Sequence, residues 1–267
     1  MNQIFKTLVS NSTLLIQMSK RDILSRYKGS AFGLGWSLFN PLMMLVVYTF
    51  VFSVVFEAKW GVKGASNNQV NFAVVLFSGM IVFNVFSECF NRATTLITAN
   101  ANYVTKIVFP LEILPWTILF SALFHSGVSL LILMASSLVL MDELHMTILL
   151  LPLVWIPFCI SLVGLMLVLS SVGVYFRDLS QVTGVLTTVL MFTSPLFFPL
   201  SALPESLQPL LMLNPLAYFI EETRNLTIFG ELPNWSHLSI AYVLSLIALL
   251  IGDKCFKTLR AGFADVI

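Results

Sequence analysis

Two pairs of adjacent carboxylates, Asp142-Glu143 and Glu221-Glu222, have the spacing that Mg²⁺ binding or acid–base catalysis would use. Neither comes with the rest of a catalytic set. The histidines, His125, His145 and His237, are scattered and give no zinc-ligand spacing. Cys89, Cys159 and Cys255 are far apart and mostly within apolar runs, so they read as small hydrophobes and not as a metal or disulfide framework. No G-x-x-x-x-G-K-[ST] loop occurs, so this chain has no phosphate cradle for ATP. The second acidic pair is more informative. It lies in "NPLAYFIEETRNL", Asn214 to Leu226, where Glu221 and Arg224 stand one helical turn apart and can pair.

The elements that position these charges are apolar. Of 267 residues, 58% are hydrophobic and 10% charged, against about 25% charged in soluble domains. Mean hydropathy is +0.92. Too little polar side chain is present to coat a soluble globule, so lipid is the expected solvent. A net charge of +1 gives no basic field for nucleic acid. The N-terminal stretch has no continuous apolar core followed by a small-residue cleavage site, so Met1 is expected to begin the mature chain.

A crossing helix needs about 20 apolar residues, and six windows qualify: Trp36–Phe56, Val70–Phe90, Ile113–Met141, Thr147–Val174, Leu179–Leu200 and His237–Cys255. The third and fourth are long enough to tilt. With both termini on the cytoplasmic side, Lys6, Lys20, Arg21, Arg26, Lys28, Arg92, Lys106, Arg177, Lys254, Lys257 and Arg260 lie inside. Only Lys59, Lys63 and Arg224 then lie outside, as the positive-inside rule requires. Before the last window, residues 195–235 are too apolar for a solvated loop and too proline-rich for one spanning helix. Short helices that dip into the membrane and return fit this segment, which we bound at 201–230. A charge held there is costly and is usually partnered or functional.

Ahead of Gly29, Ile16, Ile23 and Tyr27 share one helical face and Arg21 and Lys28 the other, with Lys20 intruding on the apolar side. This pattern predicts an amphipathic helix on the membrane surface, within residues 1–33. Gly29, Gly33 and Gly35 then permit a sharp turn. Trp36 opens the first span, and Pro41 removes a backbone donor one turn into it. Glu88 can snorkel toward Arg92, its i+4 neighbour, and mid-span His125 reads as an interhelical hydrogen-bond partner. Tyr48, Phe52 and Phe56 fall at i, i+4, i+8, and Phe197 and Phe198 sit at the outer end of the fifth window.

Three stretches resemble the ABC-2 type permeases that export polysaccharides, such as O-antigen, capsule and teichoic-acid exporters. They are "RYKGSAFGLGWSLFNPLMMLVVYTFVFSVVF" at the first span, "VYFRDL" after the fourth, and "NPLAYFIEETRNL" before the last. Together with the six-span plan and the length, they extend the resemblance over nearly the whole chain.

The resemblance implies one all-α transmembrane domain, 1–267, forming a homodimer in a bacterial plasma (inner) membrane. It implies two copies of a separate ATP-binding subunit, which would hold ATP and Mg, with no cofactor in this chain. It implies that the cytoplasmic segment 92–112 docks that subunit, through Tyr103, Lys106, Ile107 and Phe109. Gly29, Gly33, Gly35, Trp36 and Pro41 would act as a gating hinge. Tyr48, Phe52, Phe56, Phe197 and Phe198 would line an aromatic path, since rings stack on sugar faces without binding one sugar tightly. Asn214, Pro215, Glu221, Glu222 and Arg224 would clamp the exit. The expected cargo is a lipid-linked polysaccharide of O-antigen type. Teichoic acid, capsule or a small lipophilic compound are alternatives within the class. A membrane-embedded polyprenyl-phosphate enzyme and a passive channel are alternatives outside it.

Overall fold

A computed structural model describes residues 8–56, 68–105, 109–142, 144–198 and 214–267. Among the described residues the regular structure is all helical. A first helix, α1 (Ser12–Ser25), leads through a 3₁₀ turn, Gly33–Gly35, into α2 (Trp36–Tyr48). The chain continues from α2 as a π-helical segment, Thr49–Val55. Then come α3 (Asn68–Ala93), the short α4 (Ala101–Thr105), α5 (Leu114–Met141), α6 (Leu151–Tyr175), α7 (Leu179–Thr193), α8 (Pro215–Arg224), α9 (Trp235–Arg260) and α10 (Phe263–Val266).

Five helical stretches are long and apolar enough to cross a membrane: Gly33–Val55, Phe72–Ala93, Leu111–Met141, Met146–Tyr175 and Trp235–Arg260. They match five of the six expected windows, and the protein is an integral membrane protein. The window over 179–200 behaves differently. Its helix, α7, stops at Thr193 after 15 residues, or about 22 Å of rise against the roughly 30 Å of a bilayer core. The stop has a local cause. Ser194 takes an extended conformation, φ −93° and ψ 152°, as a residue before proline prefers, and Pro195 follows.

α3 is the axis of the fold. It packs against α5, α6, α7, α8 and the π-helical end of the first span. Ala73, Val74, Val75 and Leu76 are fully buried along it. The most extensive helix pair is α6 with α9. Small residues set their approach: a Cβ on Gly164 would meet the Ala248 carbonyl carbon at 2.5 Å, and a Cβ on Gly252 would collide with the Gly164 carbonyl. Lipid tails are as apolar as leucine, so association in a membrane relies on such close packing. Hydroxyls in the spans satisfy themselves on their own helices, as Ser78 does on Val75 O at 2.7 Å, Ser136 on Leu133 O at 2.8 Å and Ser161 on Phe158 O at 2.7 Å.

The first helix presents a different side to the protein than its apolar face would suggest. Leu15, Met18 and Ser19 are buried, and α1 packs chiefly on α5. Ile16 is 67% exposed. Ile23 and Tyr27 of the predicted apolar face are half-buried, so only its Ile16 end is left outward.

Candidate functional site

At the α1 end of the bundle, four charged side chains close into one group. Asp22 from α1 accepts from Arg92 of α3 at 2.6 and 3.0 Å. Arg92 also donates to Glu88 at 2.9 Å. Arg26 pairs bidentately with Glu88 and approaches Asp22 at 3.6 Å. Two acids and two arginines are thus neutralised together, and α1 is fixed to the end of α3. Burial alone would push the Asp22 carboxyl up. The Arg92 hydrogen bond and the positive charges of Arg92 and Arg26 outweigh it and hold Asp22 below its ordinary value.

Two more links leave this end. The Tyr27 hydroxyl, in the turn after α1, meets His125 Nδ1 of α5 at 3.3 Å, so His125 has a side-chain partner from a turn and not from another helix. Arg21 donates to the Tyr103 hydroxyl at 2.9 Å. The Tyr103 ring stacks on Phe109 with centroids 4.6 Å apart, and Phe109 is buried. Both residues thus carry internal contacts of the chain. Lys106 and Ile107, the other two expected docking residues, lie outside the described residues. Arg260 of α9 pairs with Glu112 and donates to Phe109 O at 3.4 Å, holding the far end of the same segment. Arg177 and Asp178 are exposed and form no ion pair with each other.

The turn between α1 and α2 uses two of its glycines as glycine. Gly29 and Gly33 have φ of +87° and +53°, where a Cβ is strained. Gly35 does not: its φ is −58°, already helical. Its role is space, since a Cβ there would meet the Phe32 ring at 2.5 Å. Trp36 stands edge-on to Phe32 and Phe39 at 5.9 and 5.2 Å. Pro41 is accommodated inside α2 without breaking it.

Along the first span the expected aromatic row forms. Tyr48 and Phe52 centroids are 6.5 Å apart, and Phe52 and Phe56 6.0 Å. Phe52 is the junction, stacked on Phe72 at 5.4 Å and 6.0 Å from Phe197, which stacks on Phe192 at 5.9 Å. Phe198 is half-buried and joins none of these ring contacts. The π-helical backbone that carries Phe52, closed by Phe56 N donating to Val51 O at 3.0 Å, was not foreseen from the sequence. Such segments recur at functional sites, but apolar β-branched runs carry no local mark of them. Between this row and the charged group lies a cavity of about 180 Å³, bordered by Asn40, Tyr48, Asn84, Glu88 and His125.

The acidic motif at the opposite end is sewn into the bundle. Asn214 caps α8, its Oδ1 accepting from Leu216 N at 3.0 Å while its Nδ2 donates to Ser194 Oγ at 2.9 Å. Pro215 occupies the first helical turn, where its missing N–H is not needed. Arg224 is 2% exposed and donates to Pro195 O at 2.9 Å. Glu221, one turn away, makes no ion pair within 4.0 Å of it, and acts on it through space. Gly79 of α3 makes room: a Cβ there would stand 3.0 Å from Arg224 Nη2. Trp155 Nε1 donates to Thr223 Oγ1 at 3.1 Å, and Thr147 Oγ1 to Leu226 O at 2.7 Å. Glu222 is buried on the same helix. The motif binds α6, α7 and α8 together.

A model of the ABC-2 type transporter matches residues 13–227, which takes in the first helix, the aromatic row and the acidic motif. The chain belongs to the ABC-2 type transporter family. Among curated proteins, it is 27% identical over 259 residues to an O-antigen export system permease protein of Klebsiella pneumoniae, covering 95% of each chain. It is 26% identical over 256 residues to the protein of that description in Myxococcus xanthus, again covering 95% of each. A polysialic acid transport protein of Escherichia coli matches at 26% over 244 residues, 89% of this chain and 90% of the relative. This ABC-2 chain is therefore a transport permease related to polysaccharide exporters over almost its whole length.

Proposed function

We propose that this chain is the channel-forming subunit of an ATP-driven exporter that moves a lipid-linked polysaccharide of O-antigen type out of the cytoplasm. The observation that carries the reading is the near end-to-end match to O-antigen export permeases. The polysialic acid relative favours capsule-type polymer as the second reading. In the proposed assembly two copies meet around the pathway in the inner membrane, each with a separate ATP-binding subunit that holds ATP and Mg. α7 and the apolar residues after it complete a sixth crossing, and α8 belongs to a re-entrant segment. Both termini are then cytoplasmic, and the α1 end faces the ATP-binding subunit.

The chain's own groups would work as follows. Motion of the docked segment 92–112 passes through Tyr103 to Arg21 and so to α1. The Asp22–Arg92 and Arg26–Glu88 contacts make α1 and α3 move together or break. The turn at Gly29 and Gly33 carries the movement into α2 and its aromatic row. Tyr48, Phe52, Phe56, Phe197 and Phe198 offer ring faces to passing sugars, and Asn214, Pro215, Glu221, Glu222 and Arg224 keep the exit in shape. The test is copurification from native membranes in mild detergent, with a tag on the C-terminus. A separate ATPase should come along in equal amount and be lost on substituting 103–109, and wild-type membranes should export polymer only when that ATPase is active. A homo-oligomer free of ATPase in several detergents would refute the exporter reading.

A further inference from the structure

The aromatic row of the first span is one part of a longer stripe. Asn40, Met44 and Tyr48 stand at i, i+4, i+8 on α2, and all three border the cavity of about 180 Å³. Phe52 and Phe56 carry the row onward from Tyr48. α3 supplies the facing series, from Phe72 against Phe52 through Phe77 and Ile81 to Asn84. Both stripes change from rings at one end to amides at the other.

The polar groups at the amide end are uncommitted. Asn40 and Asn84 are exposed and Tyr48 is half-buried. Neither amide side chain nor the phenol forms a hydrogen bond among the described residues. His125, across the cavity on α5, has a buried Nε2 without a partner there. Asn40 lies about 10 Å along its crossing stretch from Gly33, and Asn84 about 13 Å from the end of its own at Ala93, at 1.5 Å per residue. Amides set that deep against lipid are costly. Two facing helices packed at protein density would leave no void of this size. The void is far larger than the about 10–15 Å³ that one water needs.

We infer that this recess is a hydroxyl-binding subsite, filled by water at rest and by a sugar ring of the polymer during passage. The two amides can donate to and accept from sugar hydroxyls. Tyr48 offers a hydroxyl and a ring face together, and Phe52 beyond it offers a ring face alone. The inference rests on the proposed function, in which the polymer passes the first span. It adds a polar half to the path, where sugar hydroxyls exchange water for amide partners before the rings take over.

The test uses the full-length chain in inside-out membrane vesicles. Methanethiosulfonate ethylsulfonate, a charged thiol reagent that enters water and not lipid, is read by mass spectrometry at the peptide that carries each new cysteine. Asn40→Cys and Asn84→Cys should label at least about tenfold faster than Leu131→Cys, because a thiol in lipid meets neither the reagent nor the water that ionises it. Leu131 is 66% exposed on mid α5 and serves as the lipid-facing reference. Labelling at 40 and 84 no faster than at 131 would overturn the recess as a hydrated site. Ready disulfide formation between cysteines at 40 of two copies, without labelling, would make it a contact between copies and overturn it likewise. Maltotetraose is the sugar probe. A conduit holds each ring weakly, so with a Kd of about 1 mM the probe at ~10 mM should slow labelling at 84 about tenfold. Asp178→Cys, exposed outside the recess, should label at an unchanged rate. Labelling at 84 that maltotetraose leaves unchanged would make water the sole occupant and overturn the sugar subsite. Copurification of an ATPase is an independent result, and its absence would refute the exporter reading while leaving these labelling data intact.

Discussion

α2 and α3 teach different lessons from nearly the same composition. Both are apolar enough to cross a membrane, yet 83% of the α3 window is buried inside the protein and 6% of the first span's. Apolar side chains suit lipid and protein equally, so burial is decided by which helix finds neighbours. α3 finds them on every side. The first span leaves Phe50, Val54 and Phe56 outward and touches the bundle along one side, through α2 on α3 and α5 and through its π-helical end on α3. Substitutions in α3 should therefore act on the fold of one chain. Substitutions in the first span should act on whatever meets it, which the proposed function makes a second copy and the polymer.

The largest expected effect breaks the comparison from the α3 side. Leu76 is fully buried, and Leu76→Asp places a charge there with no partner, a change of the most destabilising kind. Folded protein should vanish from membranes, read by size-exclusion chromatography of a fluorescent fusion, while Leu76→Met should remain. An abundant, monodisperse Leu76→Asp would mean that α3 is not the core.

Next in size is Gly79→Leu, also on α3. The new side chain meets Arg224, Leu196 and Ile220 and must push Arg224 off Pro195 O. Overpacking of this kind costs about 1–3 kcal/mol, so the melting temperature in detergent should fall by several degrees. Gly127→Leu on α5 is the control, because nothing lies within 4 Å of a Cβ there. Equal melting of the two variants would show that the Arg224 site does not depend on the space that Gly79 leaves.

These two positions also mark how far the sequence could be read. Spans were legible because apolar length is a local property, and five windows match helices closely. The fifth window ran on to Leu200 because hydropathy does not register that Ser194 precedes a proline. The Glu88–Arg92 pair was legible as an i, i+4 spacing. Asp22–Arg92 joins residues 70 positions apart, and no spacing rule reaches it. The same holds for Arg224, whose expected partner was one turn away and one of whose acceptors is the Pro195 carbonyl, 29 positions back. The difference between α2 and α3 was illegible for a related reason. Hydropathy measures how well a residue tolerates lipid and says nothing of which helix will cover it.

A smaller effect tests the joint between the two regions. The Asp22 carboxyl is held below its ordinary value of 3.8. Its contribution is therefore fully present above that value and lost as pH falls through the lower, folded one. The hydrogen-exchange protection factor over residues 12–25, measured against the intrinsic exchange rate at each pH, should be high and constant from neutral pH down to the carboxylate range. It should then fall as Asp22 takes up its proton, before that of α3 does. Asp22→Asn should exchange faster at neutral pH and lose most of the acid-dependent step. An α1 protected equally in acid with and without the Asp22 carboxylate would mean that packing on α5, through Leu15 and Met18, holds it alone.

The smallest effect on the isolated chain comes from the first span, and it sharpens the comparison most. Val47 is 44% exposed and Met43 40%. Truncating either to alanine removes atoms that touch detergent or lipid, so the melting temperature of the single chain should hold within about 0.5 kcal/mol of stability. Those atoms are not idle if a second copy packs there. Met43→Ala with Val47→Ala should then shift the dimer–monomer balance in detergent, or polymer export in cells, while leaving melting alone. A double variant unchanged in all three measurements would mean that this face meets only lipid. A double variant that melts early would mean that α2 is covered by its own chain, and the contrast with α3 would dissolve.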